Sequence, residues 1–336
     1  MADALTELLT KRDWLLLDGA TGTNLFAMGL EAGEAPELWN LDAPEKIHAL
    51  HDGFIEAGSD IVLTNTFGGS AYRLKLHNAQ DRVFELNKAG AEIARACADK
   101  VERDVIVAGS VGPTGEILQP VGALSHEDAV AAFEEQIRGL LAGGADVIWG
   151  ETISSEEEIR AVTEAAANLD APFCATLSFD TAGRTMMGVT SARYAELSKD
   201  LATPLIAIGA NCGTGAPDLL RTVMGMAEAD PEAVLVAKAN AGIPKYVDGL
   251  IEYDGTPELM ADYARLARDL GARLIGGCCG TKPEHLRAMR AALEAHIPGG
   301  KPSLEEISAR VGAFSSETDG TGEDASPLRP RRRRRR

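Results

Sequence analysis

The chain has 336 residues, 45% of them hydrophobic, with a formal net charge of −18 at pH 7. That length suits one large barrel domain or two ordinary ones, and the apolar content excludes wholesale disorder. Over residues 1–314 the imbalance deepens to −21, from 26 basic and 47 acidic residues, which opposes nucleic acid or an anionic membrane as partner. No apolar run nears the roughly 20 residues that span a bilayer. The start, Met1–Glu7, lacks the basic flank and apolar stretch of a signal peptide, so a cytoplasmic protein is expected.

Eight short apolar runs follow one another, with stretches of helical period between them. The first, Trp14–Leu17, exits into Asp18-Gly19-Ala20-Thr21-Gly22-Thr23, and the second, Ile61–Leu63, into Thr64-Asn65-Thr66-Phe67. The third, Val105–Ala108, leads to Gly109-Ser110-Val111-Gly112-Pro113. Next, Ser125–Leu141 has its apolar residues Val130, Phe133, Ile137, Leu140 and Leu141 on one stripe. Ser125 is its expected N-cap, with Asp128 three residues on, and Gly143-Gly144 its stop. The fourth run, Val147–Trp149, exits into Gly150-Glu151-Thr152, and the fifth is Phe173–Leu177. The sixth, Leu205–Gly209, reaches Asn211-Cys212-Gly213, and the seventh, Val234–Ala237, reaches Lys238-Ala239-Asn240-Ala241-Gly242. Thr256-Pro257-Glu258 repeats the helix-start signal, a cap followed by proline at the first helical position. The eighth run, Leu274–Ile275, ends in Gly276-Gly277-Cys278-Cys279-Gly280.

Most of these runs are continuous rather than alternating, as in parallel strands buried on both faces. The joints at 57–60, 143–146 and 270–273 each place a glycine stop before a short step into the next run. Eight such units point to a single (β/α)8 barrel over residues 1–314, with a doubly wound open sheet as the alternative. From Ser315 to Arg336 almost nothing is apolar and the chain ends in six arginines. A disordered, solvated tail is expected there; its alternative use is contact with an acidic partner.

In such barrels chemistry gathers where strands end. Three of the five cysteines stand there: Cys212, Cys278 and Cys279. Five is an odd number, and a vicinal pair is too close for an ordinary structural disulfide, so a disulfide framework is not expected. The sixth and eighth strands lie two apart around a barrel wall, which lets Cys212 face Cys278-Cys279. Three thiolates suit Zn2+, with a fourth position open to hold a substrate thiol ionised near neutral pH. A redox-active vicinal pair is the competing reading. Cys97 and Cys174 read as small buried hydrophobes. Glu151 and Asp18 are two carboxylates at one rim, able to bind an amino group. Each also has a plainer use: Glu151 as a surface or cap carboxylate, Asp18 as an anchor for the glycine turn. No P-loop or GxGxxG follows a strand.

With these residues assembled, the chain resembles the homocysteine S-methyltransferases from about Trp14 to about His296. That family includes betaine- and S-methylmethionine-dependent enzymes and the N-terminal module of cobalamin-dependent methionine synthase. The matching motifs are DGATGT at Asp18–Thr23, TNTF at Thr64–Phe67, GSVGP at Gly109–Pro113, GET at Gly150–Thr152, ANCG at Ala210–Gly213, NAG at Asn240–Gly242 and GGCCGT at Gly276–Thr281. The resemblance implies a (β/α)8 barrel with zinc on Cys212, Cys278 and Cys279 and homocysteine sulfur at the open position. It implies that Asp18 and Glu151 hold the amino group, with the Gly19 and Ala20 amides near the carboxylate. It makes Asn240 a candidate fourth ligand in the absence of substrate. The expected product is methionine, from betaine or a related onium donor. The alternative is an acceptor subunit of a split methionine synthase, methylated by a separate corrinoid protein. Trp39 lies near one aromatic of a betaine cage, whereas the positions of two cage tyrosines hold Gly68 and Thr152. A homo-oligomer is left open.

Overall fold

The computed structural model describes residues 3–247, 250–318 and 320. It contains ten strands: β1 (Leu15–Leu16), β2 (Ile61–Leu63), β3 (Ile106–Val111), β4 (Val147–Ile153), β5 (Phe173–Leu177), β6 (Leu205–Cys212), β7 (Leu235–Ala239), β8 (Pro244–Val247), β9 (Leu250–Tyr253) and β10 (Ala272–Gly277). Eight of them form one parallel sheet in the order β1-β10-β7-β6-β5-β4-β3-β2, with helices between successive strands. A parallel bridge from Leu17 to Ile61 joins the two ends and makes the sheet a barrel. The open-sheet alternative is thereby set aside. The antiparallel hairpin β8–β9 stands apart, in the connection that follows β7.

The apolar runs coincide with the strand cores, but several strands continue beyond them. β3 extends through Gly109-Ser110-Val111, β4 through Gly150–Ile153 and β6 through Ala210-Asn211-Cys212. The backbone ladder is indifferent to side-chain polarity, so polar motif residues expected in loops are the last rungs of strands. Helix ends follow the expected chemistry. Ser125 caps helix His126–Ala142 by accepting the Asp128 N–H at 3.1 Å, and Thr256 caps helix Pro257–Asp269 by accepting from Leu259. Gly58, Gly144 and Gly271 take φ of +105°, +91° and +91°, the left-handed turn that ends a helix before the next strand.

Along each strand alternate side chains enter the barrel. The lower interior is apolar: Leu17, Leu63, Ala108, Trp149, Cys174, Val236 and Leu274 pack together and are almost fully buried. The N-terminal helix Ala4–Lys11 closes the bottom with Leu5, Leu8 and Leu9. Arg273 fastens it by donating to the Leu9 and Arg12 carbonyls at 2.6 and 2.8 Å. Among the described residues no helix is long and apolar enough to cross a membrane.

Of the segment expected to be a free tail, Ser315 donates its N–H to Asp218 at 2.9 Å, and Arg221 donates to the Ser316 carbonyl at 2.9 Å. Arg221 also lies 4.6 Å over the Phe314 ring. The six terminal arginines lie outside the described residues.

Candidate metal and substrate site

One step above the apolar layer, the inward positions turn polar. Ala108 gives way to Ser110, Trp149 to Glu151, Cys174 to Thr176 and Val236 to Lys238. The cysteines meet at the rim of this layer. Cys212 ends β6 opposite Ala239 of β7, and Cys278 donates its N–H to the Ala239 carbonyl from the other side at 2.7 Å. β7 therefore acts as the spacer between β6 and β10, as expected of strands two apart. The three sulfurs lie within 4.8 Å of one another, and Cys212 Sγ is 4.0 Å from Cys279 Sγ. Tetrahedral zinc–thiolate bonds of about 2.3 Å place sulfurs about 3.8 Å apart, so the donor set fits such an ion in spacing and in chemistry. Hydrogen bonds from Cys212 and Cys278 pull the Cys279 thiol down, while the bonds to Cys278 and Cys279 push Cys212 up.

The supporting shell is built from asparagines. Asn240 accepts the Cys279 N–H at 3.1 Å and donates to the Gly213 carbonyl at 2.9 Å, tying the two cysteine loops together. Asn211 grips Thr152 twice, accepting its N–H at 2.8 Å and donating to its hydroxyl at 2.7 Å. Thr152 and Cys212 both have a φ of 61°, a left-handed conformation that non-glycine residues hold only when their surroundings impose it. Asn211 links one of these residues to the other.

Asp18 and Glu151 are also brought to this layer, at 1% and 8% exposure. Asp18 accepts the Leu63 N–H at 2.7 Å, and Ser110 donates to Glu151 Oε1 at 2.5 Å. Beside Asp18 stands Lys238, 3% exposed, with its Nζ 3.3 Å from Asp18 Oδ1. Burial raises Asp18 to about 6 although Lys238 opposes the shift, and burial likewise raises Glu151. Lys238 is pushed up because its neighbouring anions, Asp18 first, outweigh the cost of burial. Sequence reasoning gave Lys238 no role. Its signal was a single cation closing an apolar run, a residue seldom buried without a partner.

The turn after Asp18 is packed tightly. A Cβ at Gly19 would lie 2.7 Å from the Thr281 carbonyl, and the Ala20 N–H donates to that same oxygen at 3.1 Å. Ala20 thus secures the turn to the loop carrying Cys278 and Cys279. The other cysteines stay outside the site, as expected. Burial pushes Cys97 up to about 12, and burial raises Cys174 further. Trp39 already holds a cation of the chain itself, with Lys46 Nζ 4.0 Å from the ring centroid.

Comparison with known proteins agrees with this geometry. The family model described as homocysteine S-methyltransferase matches residues 15–293. The methionine synthase of Mycobacterium tuberculosis is 31% identical over 294 residues, 82% of this chain and 24% of that protein. The chain thus spans about a quarter of the curated relative it matches. Crystal structures of the homocysteine methyltransferase MmuM from Escherichia coli are similar as well. The oxidized form has a TM-score of 0.71 at 26% identity, covering 86% of this chain and 99% of that one. The metallated form has a TM-score of 0.71 at 26% identity, covering 85% and 99%. With the family model covering most of its length, the chain belongs to the homocysteine S-methyltransferase family.

Proposed function

We propose that this chain methylates the thiol of L-homocysteine to form methionine, with Zn2+ held by Cys212, Cys278 and Cys279. The observation that carries the reading is the convergence of three sulfurs, from two distant parts of the sequence, at the mouth of the barrel. Bound zinc supplies Lewis acidity, which keeps a substrate thiol ionised near neutral pH. The chain does the rest. Glu151 and Asp18 provide the negative charge for the substrate's ammonium. Asn240 and Asn211 hold the cysteine loops and the Glu151 strand end in register. The sealed apolar layer below keeps water to one side of the reacting sulfur. Orientation of the thiolate toward an electrophilic methyl is the barrel's contribution to an in-line displacement.

For the donor, the reading made from sequence is betaine or a related onium compound. Lys46 covers a Trp39 face that could otherwise hold such a cation, and position 68 is a glycine whose N–H donates to Glu37. A second reading, methyl transfer from a separate corrinoid protein, draws on the methionine synthase relative and on the rim. Phe67, Ile117, Val121, Met186 and Ile243 are exposed on loops that follow β2, β3, β5 and β7. A rim of that kind suits a macromolecular donor. The test is purified, zinc-loaded protein assayed with homocysteine and each donor in turn. Methionine formed from betaine alone supports the first reading, and methionine formed only from a methyl-corrinoid protein supports the second. Failure with every donor, at full zinc occupancy, contradicts homocysteine methylation.

A further inference from the structure

We propose that Tyr253 and Asn211 are positioning residues for chemoselectivity: each donates a hydrogen bond to one sulfur of the vicinal pair and blunts it as a nucleophile, so that an electrophilic methyl goes to the acceptor thiol and not to the protein. The inference rests on the zinc reading above. Tyr253 ends β9 and pairs with Pro244 across the hairpin that follows β7. Its side chain lies against Gly280, the residue after Cys279, where a Cβ would come within 2.4 Å of Tyr253 Cβ and Cγ. From there its hydroxyl hydrogen-bonds the Cys279 sulfur. Asn211, on β6, has its amide oriented by Thr152. Oδ1 accepts the Thr152 N–H at 2.8 Å, so Nδ2 is the atom that faces Cys278 Sγ, 3.9 Å away. Among the described residues, only the other two cysteines hydrogen-bond the sulfur of Cys212.

Such donors answer a chemical need. Three protein thiolates and the acceptor's thiolate are all soft nucleophiles at one site, and any of them can displace a leaving group from a methyl carbon. On a cysteine, the sulfur's electron pair forms the new S–C bond and the leaving group departs with its own pair. A thioether remains, which is a poorer ligand than a thiolate. A hydrogen bond donated to a thiolate draws on the lone pairs that the attack requires, and nucleophilicity falls with basicity. All three cysteines are partly exposed, so burial alone does not shield them. Tyr253 quiets Cys279 and Asn211 quiets Cys278, which leaves Cys212 as the most reactive of the protein's own three.

The test uses methyl iodide on the zinc-loaded full chain without homocysteine, with methylated cysteines located by peptide mass. Tyr253→Phe keeps the ring on Gly280 and removes only the hydroxyl. Cys279 in that variant should be methylated about tenfold faster than in the wild type, as loss of a hydrogen bond to a charged group predicts. With Co2+ in place of zinc, the thiolate-to-metal charge-transfer band of Tyr253→Phe should also move to lower energy, which a purely structural role would not cause. Equal rates at Cys279 in the two proteins, at full zinc occupancy, overturn the proposal. A faster rate with an unmoved band overturns it too, because steric opening would then account for the change. If Tyr253→Phe does not fold or hold metal, the wild type alone decides. Cys212 should be the first of the three sulfurs methylated, and Cys278 or Cys279 ahead of it overturns the proposal. A wild-type protein that takes up no zinc contradicts the zinc reading itself, and the proposal falls with it.

Discussion

The lower and upper halves of the barrel interior are built on the same strands, two residues apart, and have opposite chemistry. Trp149 and Glu151 share β4, and Val236 and Lys238 share β7. Below, the side chains make a dry cluster closed by Leu5, Leu8 and Leu9. Above, Asp18, Glu151, Lys238 and three cysteines face one another. Cysteine shows the contrast within one residue type. Cys174, in the apolar layer, has its thiol raised by burial, while Cys279, at the rim, is pulled down by Cys212 and Cys278. Position along the strand, more than residue type, decides whether a group supports the fold or the chemistry.

The sharpest way to break that contrast is to remove one sulfur from the upper half. Cys279→Ala should abolish metal retention and lower methionine formation by at least ~1,000-fold, the several kcal/mol that a Lewis acid supplies, with circular dichroism unchanged. Trp149→Ala does the reverse. It should cost about 3–5 kcal/mol in urea unfolding through the cavity it leaves, while the protein that remains folded still retains metal.

Much of this division was legible before any coordinates. The eight apolar runs mark the strand cores, and the positions of Cys212, Cys278 and Cys279 at run exits mark the metal-capable rim. Other features were not. The partnership of Lys238 with Asp18 joins β7 to the exit of β1, so it exists only once the barrel has formed. The grip of Asn211 on Thr152 likewise crosses from β6 to β4. The bottom helix was missed although its signal was local: Asp3 as a cap and Leu5, Leu8 and Leu9 on one face. It was invisible as a plug because nothing nearby in sequence shows what those leucines cover.

Smaller effects sharpen the picture of the upper half. Asn240→Ala, which unties the two cysteine loops, should weaken zinc affinity about 10–100-fold in competition with a chelator. Acidity should act on the same layer. Asp18 is raised to about 6, so below that pH it takes a proton and its pairing with Lys238 is lost. Homocysteine binding should therefore weaken as pH falls through about 6, with its desamino analogue 4-mercaptobutanoate less affected. The sign for folding is opposite to that of a salt-bridged surface acid. An acid raised from 3.8 to about 6 makes the fold less stable as pH rises across that window. Asp18→Asn should remove that part of the pH dependence. The smallest effect belongs to Cys97, which packs against His48 in the outer helical layer. Cys97→Ala should leave zinc content unchanged and cost about 1 kcal/mol of stability.

The most direct test of the central claim is X-ray absorption at the zinc edge on the full chain, before and after homocysteine is added. One zinc per chain is expected, with three sulfur ligands at about 2.3 Å, rising to four with homocysteine. A zinc bound through oxygen and nitrogen alone, or a sulfur count that homocysteine does not change, would contradict it.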